Sequence, residues 1–473
     1  MPKRNVLWML AVVAVAVGTA WFMKRTPQAR RRREVRPDTM VAAYKQILKN
    51  HYPPVDPLEL KRSAVEGMVK ALDPQSVYIP YEKAHAFRKR MEGQYRGVGL
   101  ILAVSDKGLV VDSVHSNSPA EQARLAGGDV ISHINDRPAA GMSLQQASES
   151  LSADEDGEIR LRVIQGDRPD QIREVTLTPR EYPVETVTGF YRASDARWTY
   201  AVDRDEGLAY IKISEFVEGT VDRFKKAFRK PSMMRGLVLD LRGNPGGYLP
   251  EAVALADLFL HDGLIVTVLG AGGSVETHKA HADGTYPDIP VVVLVDSGTA
   301  SAAEIVAGAM SCGDRAVLLG APTRGKHSVQ TPLVLEGRLG LLHLTTARFF
   351  FGPDDPETAT MPASETRPAL SLKAIAPHVP TPLDPDGIRK LRTLRRRRDA
   401  AGLAPTTMPA TRPAGELDAA FGRELLSCDN QLAAAIELLK APQNIRQILN
   451  KSAEARRKRC ETQPAGQRSE IER

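Results

Sequence analysis

In DSGTASAAEIVAGA, residues 296–309, an apolar strand-like run ends in small residues and a helix-forming run begins directly after them, which sets Ser301 at a helix N-terminus. Backbone N–H groups from Ala302 onward are exposed at such a position, and the helix dipole favours negative charge there, as acyl transfer to a serine requires. The same position also suits a serine that only caps the helix. Further along, PTRGKHSVQTPL puts Lys326 after a glycine and ahead of a β-like run, with Lys326, Ser328 and Gln330 on one face by alternation. A lysine serves as a base only when neutral, so its ordinary pKa near 10.4 must fall toward about 7–8 through desolvation. Gln330 is spaced to hold the amine; the plain alternative for Lys326 is a solvated surface lysine. A third stretch, LVLDLRGNPGGYLPEA at 237–252, ends a buried strand in Gly246 and Gly247. Either glycine can aim an amide at an oxyanion or admit an extended peptide. The stretch fits neither the dinucleotide pattern GxGxxG nor the phosphate loop GxxxxGK[ST].

These groups need a scaffold, and the pattern of the chain supplies one. From about 185 to 350 the near-continuous apolar runs LAYIKIS, GLVLDLRG, IPVVVLVDSG and RAVLLGA read as buried strands, with helices at VDRFKKAFRK, EAVALADLFL and AAEIVAGAMS between them. Residues 93–182 form a smaller β-rich module with shorter strands, Gly, Asp and Asn turns, and one helix at LQQASESLS. Residues 36–92 have helical spacing and precede both. The expected division is 183–352 for the core, 353–416 for a linker rich in Pro, Ala and Thr, and 417–473 for a helical tail whose last residues are frayed.

A length of 473 residues suits roughly three such units, and 42% hydrophobic with 26% charged residues excludes wholesale disorder and collagen-like chains. The net charge of +7 gathers at Arg30–Arg33, Arg395–Arg398 and Arg456–Arg459 rather than in the middle of the chain, so no nucleic-acid partner is expected. Only Cys312, Cys428 and Cys460 occur, which supplies neither a disulfide framework nor a CxxC metal pair. Residues 5–23, NVLWMLAVVAVAVGTAWFM, carry no charge and span about 28 Å as a helix, the length of a transmembrane signal anchor. Gly18-Thr19-Ala20 also offers small residues to a signal peptidase. Lys24, Arg25 and Arg30–Arg33 outweigh Lys3 and Arg4, so charge alone would put the body of the protein in the cytoplasm.

Together, in order along about residues 38–350, these stretches resemble the C-terminal (tail-specific) processing peptidases, serine peptidases with a Ser-Lys pair and an embedded PDZ domain. The resemblance runs through VEGMVKALDPQSVYIPYE, RGVGLILAVSDKGLVVDSVHSNSPAEQARLAGGDVISHIND, LAYIKISEF, LVLDLRGNPGGYLPEAVALADLFL, VVVLVDSGTASAAEIVAGA and RGKHSVQTPL. It implies a mixed α/β fold: a Clp protease/crotonase-like core with an inserted β-rich PDZ-like domain. It implies Ser301 as nucleophile, Lys326 as general base and Gln330 as the residue orienting the lysine. The amides of Ala302 and of Gly246, with Gly247 as the alternative, become the oxyanion hole. Gly97, Val98, Gly99 and Leu100 lie where the family binds a substrate carboxylate, beside a strand edge able to pair with a peptide tail. No metal or cofactor is implied. The partners implied are proteins or peptides with free C-termini, the membrane through the N-terminal helix, and an activating adaptor or a second copy of the chain. The family's bacterial members work outside the cytoplasmic membrane, which reverses the orientation given by charge and implies a single-pass protein with its body in the periplasm or extracytoplasmic space.

The resemblance has gaps. Ala123-Arg124-Leu125 replaces the family's Ala-Gly-Leu, and only Ala374-Ile375-Ala376-Pro377-His378-Val379 stands for its final strand. Two other classes fit parts of the pattern: a noncatalytic PDZ adaptor on an inactive peptidase scaffold, and an acyl-CoA-processing crotonase-type enzyme. The latter leaves the PDZ-like insertion without a purpose.

Overall fold

The computed structural model describes residues 38–351 apart from 107, 152–156, 166–167, 193–196, 204–205, 230–232 and 287, then 374–383, residues 387, 390, 391 and 394, and 422–461. The expected anchor at 5–23 and most of the linker at 353–416 lie outside the described residues. Among those described, no helix is long and apolar enough to cross a membrane.

The chain divides into two units, residues 1–71 and 72–473. In the first, helices α1 (Asp38–Asn50) and α2 (Pro57–Lys70) follow one another. The Asp56 side chain caps α2 by accepting from Leu58 and Glu59 N–H, and Pro57 occupies the first turn, where it sacrifices no helical hydrogen bond. The expected helical segment 36–92 therefore needs correction: its last third belongs to the second unit and begins with a strand, β1 (Val77–Pro80), before helix α3 (Tyr81–Met91).

After α3 come β2 (Gln94–Gly97) and an antiparallel sheet of β3 (Leu100–Ser105), β4 (Gly108–Val114), β5 (Val130–Ile134), β6 (Ile159–Gln165) and β7 (Arg168–Leu177), hydrogen-bonded in that order. Helix α4 (Leu144–Leu151) closes a core that includes Val111, Ile131, Ile159 and Leu161. Strand β8 (Arg180–Pro183) returns to pair with β2, so the module is entered and left through one two-stranded ladder.

The larger core is a parallel sheet. Strand β9 (Leu208–Ile213) is followed by helix α5 (Thr220–Ala227), β10 (Gly236–Asp240), helix α6 (Leu249–Asp257), β11 (Leu264–Gly270) and β12 (Val275–Lys279). Then come β13 (Val291–Val295), helix α7 (Ala302–Cys312), β14 (Val317–Gly320), β15 (Ser328–Leu335), β16 (Gly340–Phe350) and β17 (Val379–Pro380). Strands β9, β10, β13, β14 and β17 pair in that order, all parallel. Strands β1, β16, β11 and β12 make a separate antiparallel sheet, with β15 also paired to β16. Alternation along the parallel strands sends Leu237, Leu239, Val291 and Val293 to one face and Val238, Val292 and Leu294 to the other. Both faces are covered, which is why these strands read as unbroken apolar runs.

The second face is covered by part of the expected helical tail: helices α8 (Asn430–Lys440) and α9 (Pro442–Glu461) put Leu432, Ile436, Leu439 and Ile445 against Val238, Val292 and Val317. The faint final strand is also real. Val379 and Pro380 pair with Leu319 and Gly320, and His378 Nδ1 accepts the Leu318 N–H at 2.9 Å.

A buried ion network ties this layer to the sheet. Arg242, at the end of β10, makes two bonds to Asp240 (Nε to Oδ1, 2.9 Å, and Nη2 to Oδ2, 2.7 Å) and two to Asp429 just before α8, both 2.8 Å. Its remaining capacity goes to Gln431 Oε1 at 2.9 Å. Although burial disfavours the charge, the two aspartates push the Arg242 pKa well above its ordinary value. Lys212 lies 3.7 Å from Asp240 and supplies the second cation, so the charges balance. Because breaking a buried pair strands a charge, Asp429→Ala is expected to lower the unfolding free energy by about 3–5 kcal/mol. Urea titration measures this, and a loss below about 1 kcal/mol would mean that Asp240 alone satisfies Arg242.

Candidate active site

Two turns at the ends of adjacent strands build the site. After β13, Asp296 Oδ1 accepts the N–H groups of Gly298 (2.9 Å), Thr299 (3.1 Å) and Gly243 (2.8 Å), the last from the turn after β10. Thr299 Oγ1 donates to Leu241 O at 2.9 Å, and Ala300 N–H to Asn244 O at 2.9 Å. The turns are thus sewn together, and the chain enters α7 through Ser301 at φ 53°, ψ −122°. A side chain at positive φ costs about 1–3 kcal/mol and persists only where its surroundings impose it.

Glu304 is the group that imposes it. Its side chain is fully buried, and Oε2 accepts the N–H of Ser301 and of Lys326, each at 2.8 Å. Oε1 accepts Thr323 Oγ1 at 2.6 Å and Gly325 N–H at 2.7 Å. One carboxylate therefore fixes the backbone of both Ser301 and Lys326. Glu304 was not among the residues singled out from the sequence, where its only signal is that it is the sole charge in the otherwise apolar first turns of α7.

Ser301, Ala302, Gly247, Lys326 and Gln330 line one cavity of about 430 Å³, beside apolar groups that include Phe87, Met91, Leu249, Ile305 and Phe349. Lys326 is half-buried. Burial pushes its pKa below the ordinary value near 10.5 and Arg324 pushes the same way, against the opposing pull of Glu304 and Asp73. His343 lines the same cavity, its pKa lowered by burial and then by Lys326. Such an arrangement can hold a neutral amine beside a serine hydroxyl in surroundings that exclude much water.

Three details differ from the expected geometry. The Gly246 amide donates to Asn244 Oδ1 at 2.8 Å, so it is engaged inside its own turn and does not suit an oxyanion. Gly246 instead lets the turn pack onto the serine: at φ +103°, a Cβ there would lie 2.7 Å from Ser301 Cβ. Gly247 is the glycine that faces the cavity. Strict alternation from Lys326 to Gln330 also fails, because the β15–β16 register shifts between Val329 and Gln330. The cavity is accordingly lined by Lys326, Val329 and Gln330 rather than by Ser328. Finally, Gln330 Nε2 donates to Ser328 Oγ at 2.8 Å and to Thr345 Oγ1 at 3.2 Å.

Gly97, Val98, Gly99 and Leu100 lie outside this cavity, running from the last residue of β2 to the first of the edge strand β3. Val98 O accepts Ala120 N–H and Gly99 O accepts His115 N–H, both at 2.9 Å, which turns these carbonyls toward the module's body. Gly99, at φ +82°, sits so close to Ser118 that a Cβ would come within 2.1 Å of it. Among the described residues no group of His, Cys, Asp and Glu is arranged to hold a metal ion.

Residues 207–357 match peptidase family S41, and residues 110–165 match a PDZ domain. The chain is 32% identical over 304 residues to a carboxy-terminal-processing protease of Bartonella bacilliformis, covering 62% of this chain and 66% of that one. It is 32% identical over 301 residues to carboxy-terminal processing protease CtpA of Bacillus subtilis, covering 62% and 61%. Each match spans less than two thirds of the curated relative's length. Among solved structures, the photosystem II D1 C-terminal processing protease aligns with 78% of this chain and 100% of its own, at 24% identity and a TM-score of 0.44. With both domains matched in the order the motifs require, the chain carries a peptidase family S41 domain and a PDZ domain, and it is a homologue of the C-terminal processing serine peptidases.

Proposed function

We propose that this protein is a membrane-anchored serine endopeptidase that engages substrate C-termini through its PDZ domain and hydrolyses peptide bonds with Ser301 and Lys326. The observation that carries the reading is that Ser301 and Lys326 share one cavity and hang from one buried carboxylate, Glu304. Neutral Lys326 takes the Ser301 Oγ proton as the oxygen attacks the substrate carbonyl. The tetrahedral oxyanion sits at the N-terminus of α7, against the Ala302 N–H and that of Gly247. Protonated Lys326 then gives its proton to the leaving amine, and water, activated by the same amine, releases the acyl group from Ser301. Gln330 orients the lysine. The loop Gly97–Leu100 receives the substrate carboxylate while its tail pairs with the edge of β3. Residues 5–23 anchor the chain, with its body outside the cytoplasmic membrane, and an adaptor or a second copy is the partner class to look for.

Cleavage of casein by the full-length protein tests this reading. Ser301→Ala and Lys326→Ala are each expected to remove activity by about 10³-fold or more while leaving the fold intact. Equal cleavage by all three proteins would overturn the assignment, and an inactive unaltered chain that still binds peptides by their C-termini would favour a PDZ adaptor. Since only the neutral amine is competent, kcat/KM should rise with pH through a single ionisation lying below the ordinary lysine value near 10.5.

A second outcome concerns Glu304. A glutamine there offers one oxygen, so one pair of the four donors loses its acceptor whichever way the amide lies. Glu304→Gln is expected to cost about 2–4 kcal/mol in urea unfolding and about 10²-fold in kcat. Retention of both would show that the backbone holds itself without the carboxylate.

A further inference from the structure

The amide of Gln330 is constrained by groups behind it. Gln330 on β15 pairs with Thr345 on β16, and its Nε2 donates to Ser328 Oγ and Thr345 Oγ1. An amide nitrogen has two hydrogens, so both are spent and the group left to meet Lys326 is the acceptor Oε1. Thr345 Oγ1 lies 3.2 Å from Asp73 Oδ1. A carboxylate only accepts, so the single hydroxyl hydrogen of Thr345 goes to Asp73, and toward Gln330 the hydroxyl presents a lone pair. Turning the amide over would set Gln330 Oε1 against that lone pair.

Asp73 is itself locked in the turn before β1. Oδ1 accepts the N–H groups of Gln75 (2.8 Å) and Ser76 (2.9 Å), and Oδ2 accepts Ser76 Oγ at 2.7 Å. Ser76 Oγ in turn accepts the Thr345 N–H at 3.0 Å. Burial raises the Asp73 pKa, but the Ser76 hydroxyl, the Gln75 and Ser76 amides and the Thr345 hydroxyl outweigh it and hold the carboxyl below its ordinary range. Asp73 is therefore an acceptor at every pH where Lys326 is neutral.

The direction matters to a lysine base. An amine that donates to Gln330 Oε1 keeps its lone pair for Ser301, whereas an amide N–H aimed at the amine would occupy the lone pair that must take the serine proton. Resting on the reading of Lys326 as general base, we propose that Asp73 and Thr345 are positioning residues. They set the hydrogen-bond polarity of Gln330 so that its carbonyl oxygen always faces the Lys326 amine.

The test compares kcat, KM and urea unfolding of the full-length protein with those of Thr345→Val, Thr345→Ser, Gln330→Ala and the double variant Thr345→Val/Gln330→Ala, on a quenched fluorescent peptide with a free C-terminus. Thr345→Val, which removes the hydroxyl at constant shape, should lower kcat about tenfold with KM little changed, and Thr345→Ser should recover most of the loss. In the Gln330→Ala background the Thr345→Val change should cost less than about twofold, because the hydroxyl has nothing left to direct. Asp73→Asn should follow Thr345→Val in kcat. By removing a negative charge that raises the Lys326 pKa, it should also move the rising limb of kcat/KM to lower pH. Losses that multiply in the double variant, or a Thr345→Ser protein as slow as Thr345→Val, would overturn the inference while leaving Ser301 and Lys326 in their roles. A Gln330→Ala protein with unaltered kcat beside an inactive Ser301→Ala protein would remove Gln330, and with it this inference, from a peptidase reading that still stands. Activity indifferent to Ser301→Ala would end both.

Discussion

The carboxylate of Glu304 accepts four hydrogen bonds, and the amides of Ser301 and Lys326 are two of the donors. The two residues proposed to carry the chemistry are thereby fixed to the same carboxylate although they come from different turns. Burial of the carboxylate gives the arrangement its stiffness, since Glu304 is fully buried and hydrogen bonds strengthen away from water. The positive φ of Ser301 follows from the same tether. With its amide held by the helix it begins, the residue cannot relax into an ordinary helical start, and the hydroxyl stays at the cavity wall.

Around this tether the molecule is arranged in shells that depend on one another. The Asp296 turn and the Asn244 turn share hydrogen bonds, so the strand carrying the serine and the strand carrying the glycine pair cannot shift independently. Behind the Asn244 turn, Arg242 joins Asp240 to Asp429 and so joins the site to the helices that cover the far face of the sheet. On the other flank, α3 puts Phe87 and Met91 into the cavity and leads within a few residues into β2, the first strand of the ladder that carries the PDZ module.

Much of this was legible in the residues, and the illegible parts have physical reasons. The run VVVLV followed by small residues and a helical stretch announced a strand buried on both faces that delivers Ser301 to a helix start. Spacing cannot reveal a bulge, so the alternation from Lys326 to Gln330 looked regular when the register in fact shifts between Val329 and Gln330. Gly246 and Gly247 were equivalent by composition; only the hydrogen bond to Asn244 Oδ1 separates their duties. The helical period of 430–450 was plain, yet nothing local says that Asp429 answers an arginine in a distant turn. A two-residue strand such as Val379–Pro380 is too short to carry any period. The family pattern bridged several of these gaps, but Glu304, Asp73 and Thr345 acquire meaning only from distances.

The order in which the chain is made gives the Arg242 network another sense. Asp429 follows Arg242 by 187 residues, so a growing chain carries Ser301, Lys326 and the glycine turn long before the partner that completes the ion network exists. Until then Arg242 has only Asp240, and the apolar face of Val238, Val292 and Leu294 lacks Leu432, Ile436 and Leu439. The C-terminal helices are thus a closing stitch: until they are made, a growing chain holds Ser301 and Lys326 on a sheet whose second face has no layer to brace it.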